Sequence, residues 1–210
     1  MLPVNSSRIP MRPDDSALFD LYFVEGVKQK LLGNSGEALG YLERCVKINP
    51  ESDAAYFQMA QIAFSVGNRS KGKIYSRKAN SLDPDNIWYM MMLASNYFEE
   101  NNLDSAIYYY EQAAERYPEK EELLMTLGNL YTENRKYEKA ERIFSALDAK
   151  YGINETSTTA NIRNMMMAEK YHEALKLAEQ LLLENPEEIL YNGLLAEIYR
   201  GLGESAKAME

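Results

Sequence analysis

Prolines recur along this chain at a fixed spacing. The pairs Asn49-Pro50, Asp83-Pro84 and Tyr117-Pro118 lie 34 residues apart, and Asn185-Pro186 follows 68 residues after the third. The position midway between the last two, where the period requires a break, is Gly152, another residue that ends helices. A fixed period in the range of about 20 to 50 residues is the signature of a repeat protein and argues against a single globular core.

Between these points the apolar residues follow a helical pattern, broken by short polar turns, and no segment alternates with the period of a strand. Inside the repeats, turns are predicted at Gly33-Asn34-Ser35-Gly36, Gly67-Asn68, Asn101-Asn102, Asn134-Arg135, Glu169-Lys170 and Gly201-Leu202-Gly203. Ser52, Asn86 and Asn154 are predicted to cap the helices that follow them. Residues 1–14 contain three prolines and no apolar period, so they are predicted to form an extended leader. The sequence therefore predicts an all-α chain of helix pairs.

The period and the residue types at fixed positions resemble the tetratricopeptide repeat. The eighth residue of each unit is Gly26, Ala60, Ala94, Gly128, Ile162 and Ala196, and the twentieth is Ala38, Gly72, Ala106, Ala140, Ala174 and Ala208. Small residues suit these positions because the two helices of a unit cross closely there. The resemblance implies a right-handed α-solenoid of antiparallel helix pairs over residues 15–210. Its five full units are 19–52, 53–86, 87–120, 121–154 and 155–188, with a truncated sixth at 189–210.

Unit five departs from the family pattern. It has Thr158, Asn161 and Ile162 at core-type positions, and further threonines at 156 and 159 lower the helix propensity of its first half. The first helix of this unit is therefore predicted to be the least regular helix of the chain.

The resemblance also places a partner-binding groove on the first helix of each unit. Carried over position by position, the predicted groove residues are Phe23, Val27, Phe57, Gln61, Phe64, Trp88, Met91, Met92, Phe98, Met125, Asn129 and Arg163. Aromatic and methionine side chains are common anchors of such surfaces, and an exposed run of them marks an interaction site. The alternative is that these side chains pack against one another or against the leader.

No catalytic constellation is found in the sequence. Cys45 is the one cysteine and His172 the one histidine, and they are far apart, so Cys45 is predicted to fill the core and His172 to lie on a helix surface. There is no phosphate loop, metal motif or nucleophile elbow, and the chain is predicted to be neither an enzyme nor a cofactor-binding protein. The carboxylate clamp of some family members is also missing, because Phe23, Val27 and Trp88 occupy its positions.

The net charge of −9 argues against a nucleic-acid partner, and no apolar stretch is long enough to insert into a membrane. The function that these observations predict is a non-catalytic scaffold that binds a protein or peptide segment in an apolar, aromatic groove. Alternatively, the repeats are the sensor or docking region of a larger signalling protein, with an effector domain outside this chain. Self-association through an uncapped C-terminal end is a third prediction. The compartment is left open: a soluble protein is expected, either cytoplasmic or periplasmic after removal of a signal.

Overall fold

A computed structural model describes residues 12–153, 155–184, 189–204 and 206–209, and every regular element in them is helical. The α-helices are α1 (Pro13–Leu31), α2 (Ser35–Ile48), α3 (Asp53–Ser65), α4 (Arg69–Leu82), α5 (Ile87–Glu99), α6 (Leu103–Arg116), α7 (Glu121–Glu133), α8 (Tyr137–Tyr151), α9 (Glu155–Met167), α10 (Tyr171–Glu184) and α11 (Ile189–Gly201). A short 3₁₀ helix follows at Lys207–Met209. The all-α prediction is thus confirmed.

The helices that open successive repeats begin at Asp53, Ile87, Glu121, Glu155 and Ile189, and each has 13 residues. Helix α1 is longer, with 19 residues, because it begins at Pro13, at a position of the first turn where a proline loses no hydrogen bond. The last two residues of the predicted leader are therefore helical, and residues 1–11 lie outside the described part of the chain.

The turn between the two helices of a unit has the same backbone structure in every unit. The carbonyl of the third-last residue of the first helix accepts a hydrogen bond from the N–H of the residue that precedes the second helix, as from Asn34 N to Gln29 O at 2.9 Å and from Lys136 N to Tyr131 O at 2.8 Å. The residue directly before this donor adopts a positive φ in every unit; these residues are Gly33, Gly67, Asn101, Arg135, Glu169 and Gly203. This pair of features defines the Schellman motif, which satisfies the last carbonyls of a helix.

Two of the predicted caps are present. The Ser52 hydroxyl accepts from the N–H of Ala55, and the Asn86 side chain accepts from the N–H of Trp88. Asn154 lies outside the described residues. Asn68 and Asn102, which the sequence marked only as turn residues, also cap the helices that follow them.

The described part of the chain divides into two compact halves, an N-terminal half that ends at Asn96 and a C-terminal half that begins at Tyr97. The core of the N-terminal half is formed by α1 to α4 and contains Leu42, Cys45, Met59 and Ile62. The C-terminal half has two core clusters, one around Phe144 and one around Ile162. Cys45 lies in the core as predicted, with a thiol pKa raised to about 11 by burial, and His172 is exposed.

Small residues at the helix crossings leave room for large ones on the paired helix. A Cβ added to Gly26 would lie 3.0 Å from Leu42, and one added to Gly128 would lie 2.5 Å from the ring of Phe144. In unit five the sizes are reversed, because the large Ile162 is on the first helix and Ala178 on the second, and both are buried in one cluster. The crossings in units four and five therefore each pair one large and one small side chain, but the large one is on the second helix in unit four and on the first helix in unit five.

Helix α9, predicted to be the least regular, is a continuous helix of the usual 13 residues. Two of its buried polar side chains bond to α8: the carboxylate of Asp148 accepts from the hydroxyls of Ser157 at 2.5 Å and Thr158 at 3.0 Å. The side chain of Asn164, also on α9, accepts from the hydroxyl of Thr132 on α7 at 2.9 Å. The prediction was wrong because it considered helix propensity alone. Residues of low propensity occur in α9, but these hydrogen bonds satisfy their buried polar groups within the helical conformation.

Candidate functional site

The structure divides the predicted groove residues between the two halves. Phe23 and Val27 lie on α1, Phe57, Gln61 and Phe64 on α3, and Trp88, Met91 and Met92 on α5, all in the N-terminal half. Phe98, Met125, Asn129 and Arg163 belong to the C-terminal half. The two sets are therefore considered as two candidate surfaces.

Several aromatic residues of the N-terminal set are partly used in packing. The ring of Phe57 lies 4.8 Å from that of Tyr89, whose hydroxyl donates to Asp53 at 2.9 Å. Phe64 covers Gly72, where an added Cβ would lie 2.4 Å from its ring, and Phe23 packs against the core cluster. These three phenylalanines are half-buried, and part of each ring is covered by residues outside the predicted groove set.

Trp88 is the aromatic residue of the N-terminal set that remains largely open to solvent. Its side chain is 66% exposed, whereas Met91 and Met92 beside it on α5 are half-buried. A large exposed aromatic side chain on a helix of a folded protein is a strong candidate for an interface anchor, because its burial removes much apolar area from water.

A lysine joins α1 to α3 on this surface without a carboxylate partner. The Nζ of Lys30 donates to Oε1 of Gln58 at 2.7 Å and also to Oε1 of Gln61. Burial lowers the pKa of Lys30, and no carboxylate in the described part of the chain forms an ion pair with it. The sequence places Gln61 in the predicted groove, but it did not predict the contact of Gln61 with Lys30, because that contact joins two helices.

In the C-terminal half, three of the four predicted residues lie at an open cleft of about 780 Å³ between α7 and α9. Helix α7 contributes Met125, Asn129 and Glu133, and α9 contributes Glu155, Arg163 and Met167. The cleft thus combines two methionines with polar and charged groups. Three of the four predicted residues of this half line it, and Phe98, which is 44% exposed, does not.

A smaller cavity of about 240 Å³ adjoins the cleft on the side of α11. Glu155, Thr159 and Arg163 line both, and Glu197 is added from α11. The hydroxyl of Thr159 is buried without a hydrogen-bond partner, and Arg163 forms no ion pair with any described residue. With Glu133, these walls carry three carboxylates and one guanidinium, so the combined site has an acidic excess.

The described residues contain no group of three or more His, Cys, Asp or Glu side chains arranged to hold a metal ion. None of the described helices combines the length and apolar character that crossing a bilayer requires.

Two family models, both described as the tetratricopeptide repeat, match residues 97–152 and 53–86. A tetratricopeptide repeat protein from Parabacteroides merdae has a similar structure, with a TM-score of 0.72 and 21% identity, covering 92% of this chain and 77% of that one. The MamA protein gives a TM-score of 0.68 at 15% identity, covering 84% of this chain and 96% of its own.

A third structure, YrrB, is described as a TPR protein with an unusual peptide-binding site. It gives a TM-score of 0.66 at 15% identity and covers 81% of this chain and 88% of its own. No curated protein matches the sequence. At these identities the similarity establishes the fold, and the predicted solenoid of helix pairs is confirmed.

Proposed function

We propose that this protein, a member of the tetratricopeptide repeat family, is a scaffold that binds a segment of another protein on the first helices of its repeats. Interaction between proteins is the role that the fold suggests. The observation that carries the specific proposal is the cleft between α7 and α9, where Met125, Asn129 and Arg163 lie together. Its volume of about 780 Å³ lies within the range of about 300–1,000 Å³ of ligand pockets, enough for a few side chains of an extended segment.

The chemistry of the cleft indicates which side chains the segment should carry. Met125 and Met167 offer adaptable apolar contacts, which suit aliphatic or aromatic residues. Glu133, Glu155 and Glu197 favour lysine or arginine, in keeping with the net charge of −9. We therefore expect a segment in which basic and apolar residues are close together.

Selection from a displayed peptide library tests this expectation directly, because it samples many sequences and does not require the partner to be identified first. The wild-type chain should enrich peptides with basic and apolar residues. Asn129→Trp should abolish their binding, because the exposed side chain at 129 lines the cleft and tryptophan fills it without displacing a buried group. The reversal Glu133→Lys together with Glu155→Lys should instead shift selection toward acidic peptides.

Ala146→Trp is the matched control, because Ala146 is exposed on α8 and does not line the cleft. Equal loss of binding in this control and in Asn129→Trp would exclude the cleft as the binding site. Selection of peptides without any common composition would exclude specific segment binding.

The N-terminal surface is tested with Trp88→Ala. Trp88 is mostly exposed, so its removal should leave the fold intact, whereas removal of Phe57 would also break its contact with Tyr89. Loss of a selected peptide in Trp88→Ala, with unchanged thermal unfolding, would assign that peptide to the N-terminal half. A peptide lost in neither variant contradicts binding on the first helices.

A further inference from the structure

Helix α4 has a charge composition unlike that of the other described α-helices. Its 14 residues include Arg69, Lys71, Lys73, Arg77 and Lys78 and no aspartate or glutamate. Every other described α-helix contains at least one acidic residue. In a chain with a net charge of −9, α4 is therefore a local concentration of positive charge.

The positions of these charges oppose the stability of the helix. Arg69 and Lys71 lie in the first turn, where the positive end of the helix dipole disfavours cations, and no basic residue lies in the last turn. Helices α1, α2, α6 and α8 show the reverse arrangement, with acidic residues first and basic residues last. The basic residues of α4 are thus not explained by a contribution to helix formation.

The same helix exposes an aliphatic side chain among these charges. Ile74 is 63% exposed, with Lys71 one turn before it and Lys78 one turn after it on the outer face. Ser76 and Ala79 are buried on the inner face. The outer face is therefore an apolar centre between two exposed lysines, and we define Lys71, Ile74 and Lys78 as the α4 surface.

We propose that the α4 surface is a second docking site, which binds an acidic segment of a partner protein carrying an aliphatic or aromatic side chain between its carboxylates. Charge complementarity selects the carboxylates, and the exposed Ile74 selects the apolar residue. A protein segment fits better than nucleic acid, whose phosphates would leave Ile74 without a contact. Membrane binding would require a continuous apolar face on the helix. This site lies on a second helix of a repeat in the N-terminal half, so it does not depend on the proposed cleft.

Fluorescence anisotropy tests this proposal with a labelled peptide that has one leucine flanked by glutamates at helical spacing. The same peptide with glutamines is the negative control. Lys71→Glu combined with Lys78→Ala should weaken binding by about tenfold or more, because two exposed charge contacts are lost. Ile74→Ala should weaken binding severalfold at unchanged net charge. Arg77 is left in place because it has contacts of its own.

Thermal unfolding distinguishes the docking role from a structural one. If these lysines stabilised α4, their replacement would lower the Tm. Lys71 is the third residue of α4, and the side chain of Asn68 caps the helix, so glutamate at 71 should raise the Tm. Binding should therefore be weakened in a variant that is at least as stable as the wild type. A fall in Tm together with loss of binding would overturn the docking role.

The matched charge control is Lys120→Glu with Lys150→Ala, two exposed lysines of the C-terminal half. This control should bind the acidic peptide like the wild type; equal weakening would show attraction by the whole chain and overturn the proposal. Tighter binding of a DNA duplex, or of vesicles with anionic lipid, than of the peptide would also overturn it. The proposal would also be overturned if light scattering showed that Lys71→Glu with Lys78→Ala loses self-association while it still binds the peptide.

Discussion

The crossing of α7 and α8 gives a test in which one chemical change has opposite effects at two sites. Gly128→Ala places a methyl group 2.5 Å from Cε1 and 2.7 Å from Cζ of Phe144, which is fully buried. Carbon atoms in contact are normally about 3.5–4.0 Å apart, so the ring must move by about 1 Å. Overpacking of this kind costs about 1–3 kcal/mol. Alanine offsets about 1 kcal/mol of this through its higher helix propensity.

Gly40→Ala in α2 is the matched control, because a Cβ at position 40 meets no atom within 4 Å. Only the higher helix propensity of alanine applies at this position, so Gly40→Ala should stabilise the chain by about 0.5–1 kcal/mol. The two variants should therefore differ by about 1–3 kcal/mol, with Gly128→Ala the less stable.

Urea unfolding followed by circular dichroism measures this difference at constant protein concentration. Phe144→Leu in the Gly128→Ala background should recover part of the loss, as a double-mutant cycle would detect for residues in contact. Equal stability of Gly128→Ala and Gly40→Ala, or the absence of coupling between positions 128 and 144, would refute the packing argument.

Three further changes test other contacts, each by the midpoint of urea unfolding. Asp148→Ala removes the acceptor of the buried Thr158 hydroxyl and should destabilise the chain by about 1–3 kcal/mol. Tyr131→Phe removes a hydrogen bond to Glu111 and should cost about 1–2 kcal/mol, since the carboxylate is partly hydrated. Burial alone would raise the pKa of Glu111, but hydrogen bonds from Tyr131 and a lysine outweigh it and lower this pKa. Stability should therefore fall as the pH drops below about 4, less steeply in Tyr131→Phe. Arg135→Gly should stabilise by about 1 kcal/mol, because glycine adopts the positive φ of 57° without strain.

The periodic prolines and turn residues predicted the helices well because they act locally. Proline and glycine restrict or widen the backbone at their own positions, and Ser52 caps a helix through a residue three positions away. The regular α9 was not predicted, because the carboxylate that accepts from Thr158 belongs to Asp148, on the preceding helix. Intrinsic propensity contains no information on such a partner.

The sequence could predict which helices carry the candidate surface residues, but not how far their side chains are exposed to solvent. Repeat register alone places Met125, Asn129 and Arg163 on first helices, and the structure brings them to one cleft. Their role in binding stays a prediction. The half-burial of Phe57 depends on Tyr89 in the next repeat, a contact between residues far apart in sequence.

The recurring Schellman turn has a consequence for how proteins of this kind change in length. Its hydrogen bonds join main-chain atoms, as between Ala63 O and Asn68 N or between Met165 O and Lys170 N, and they tolerate glycine, asparagine, arginine or glutamate at the central position. The joint is therefore transferable between units whose helices differ in nearly every side chain. Duplication or deletion of a whole 34-residue module would preserve every joint, whereas loss of a single residue inside one would disrupt the phase of all modules that follow.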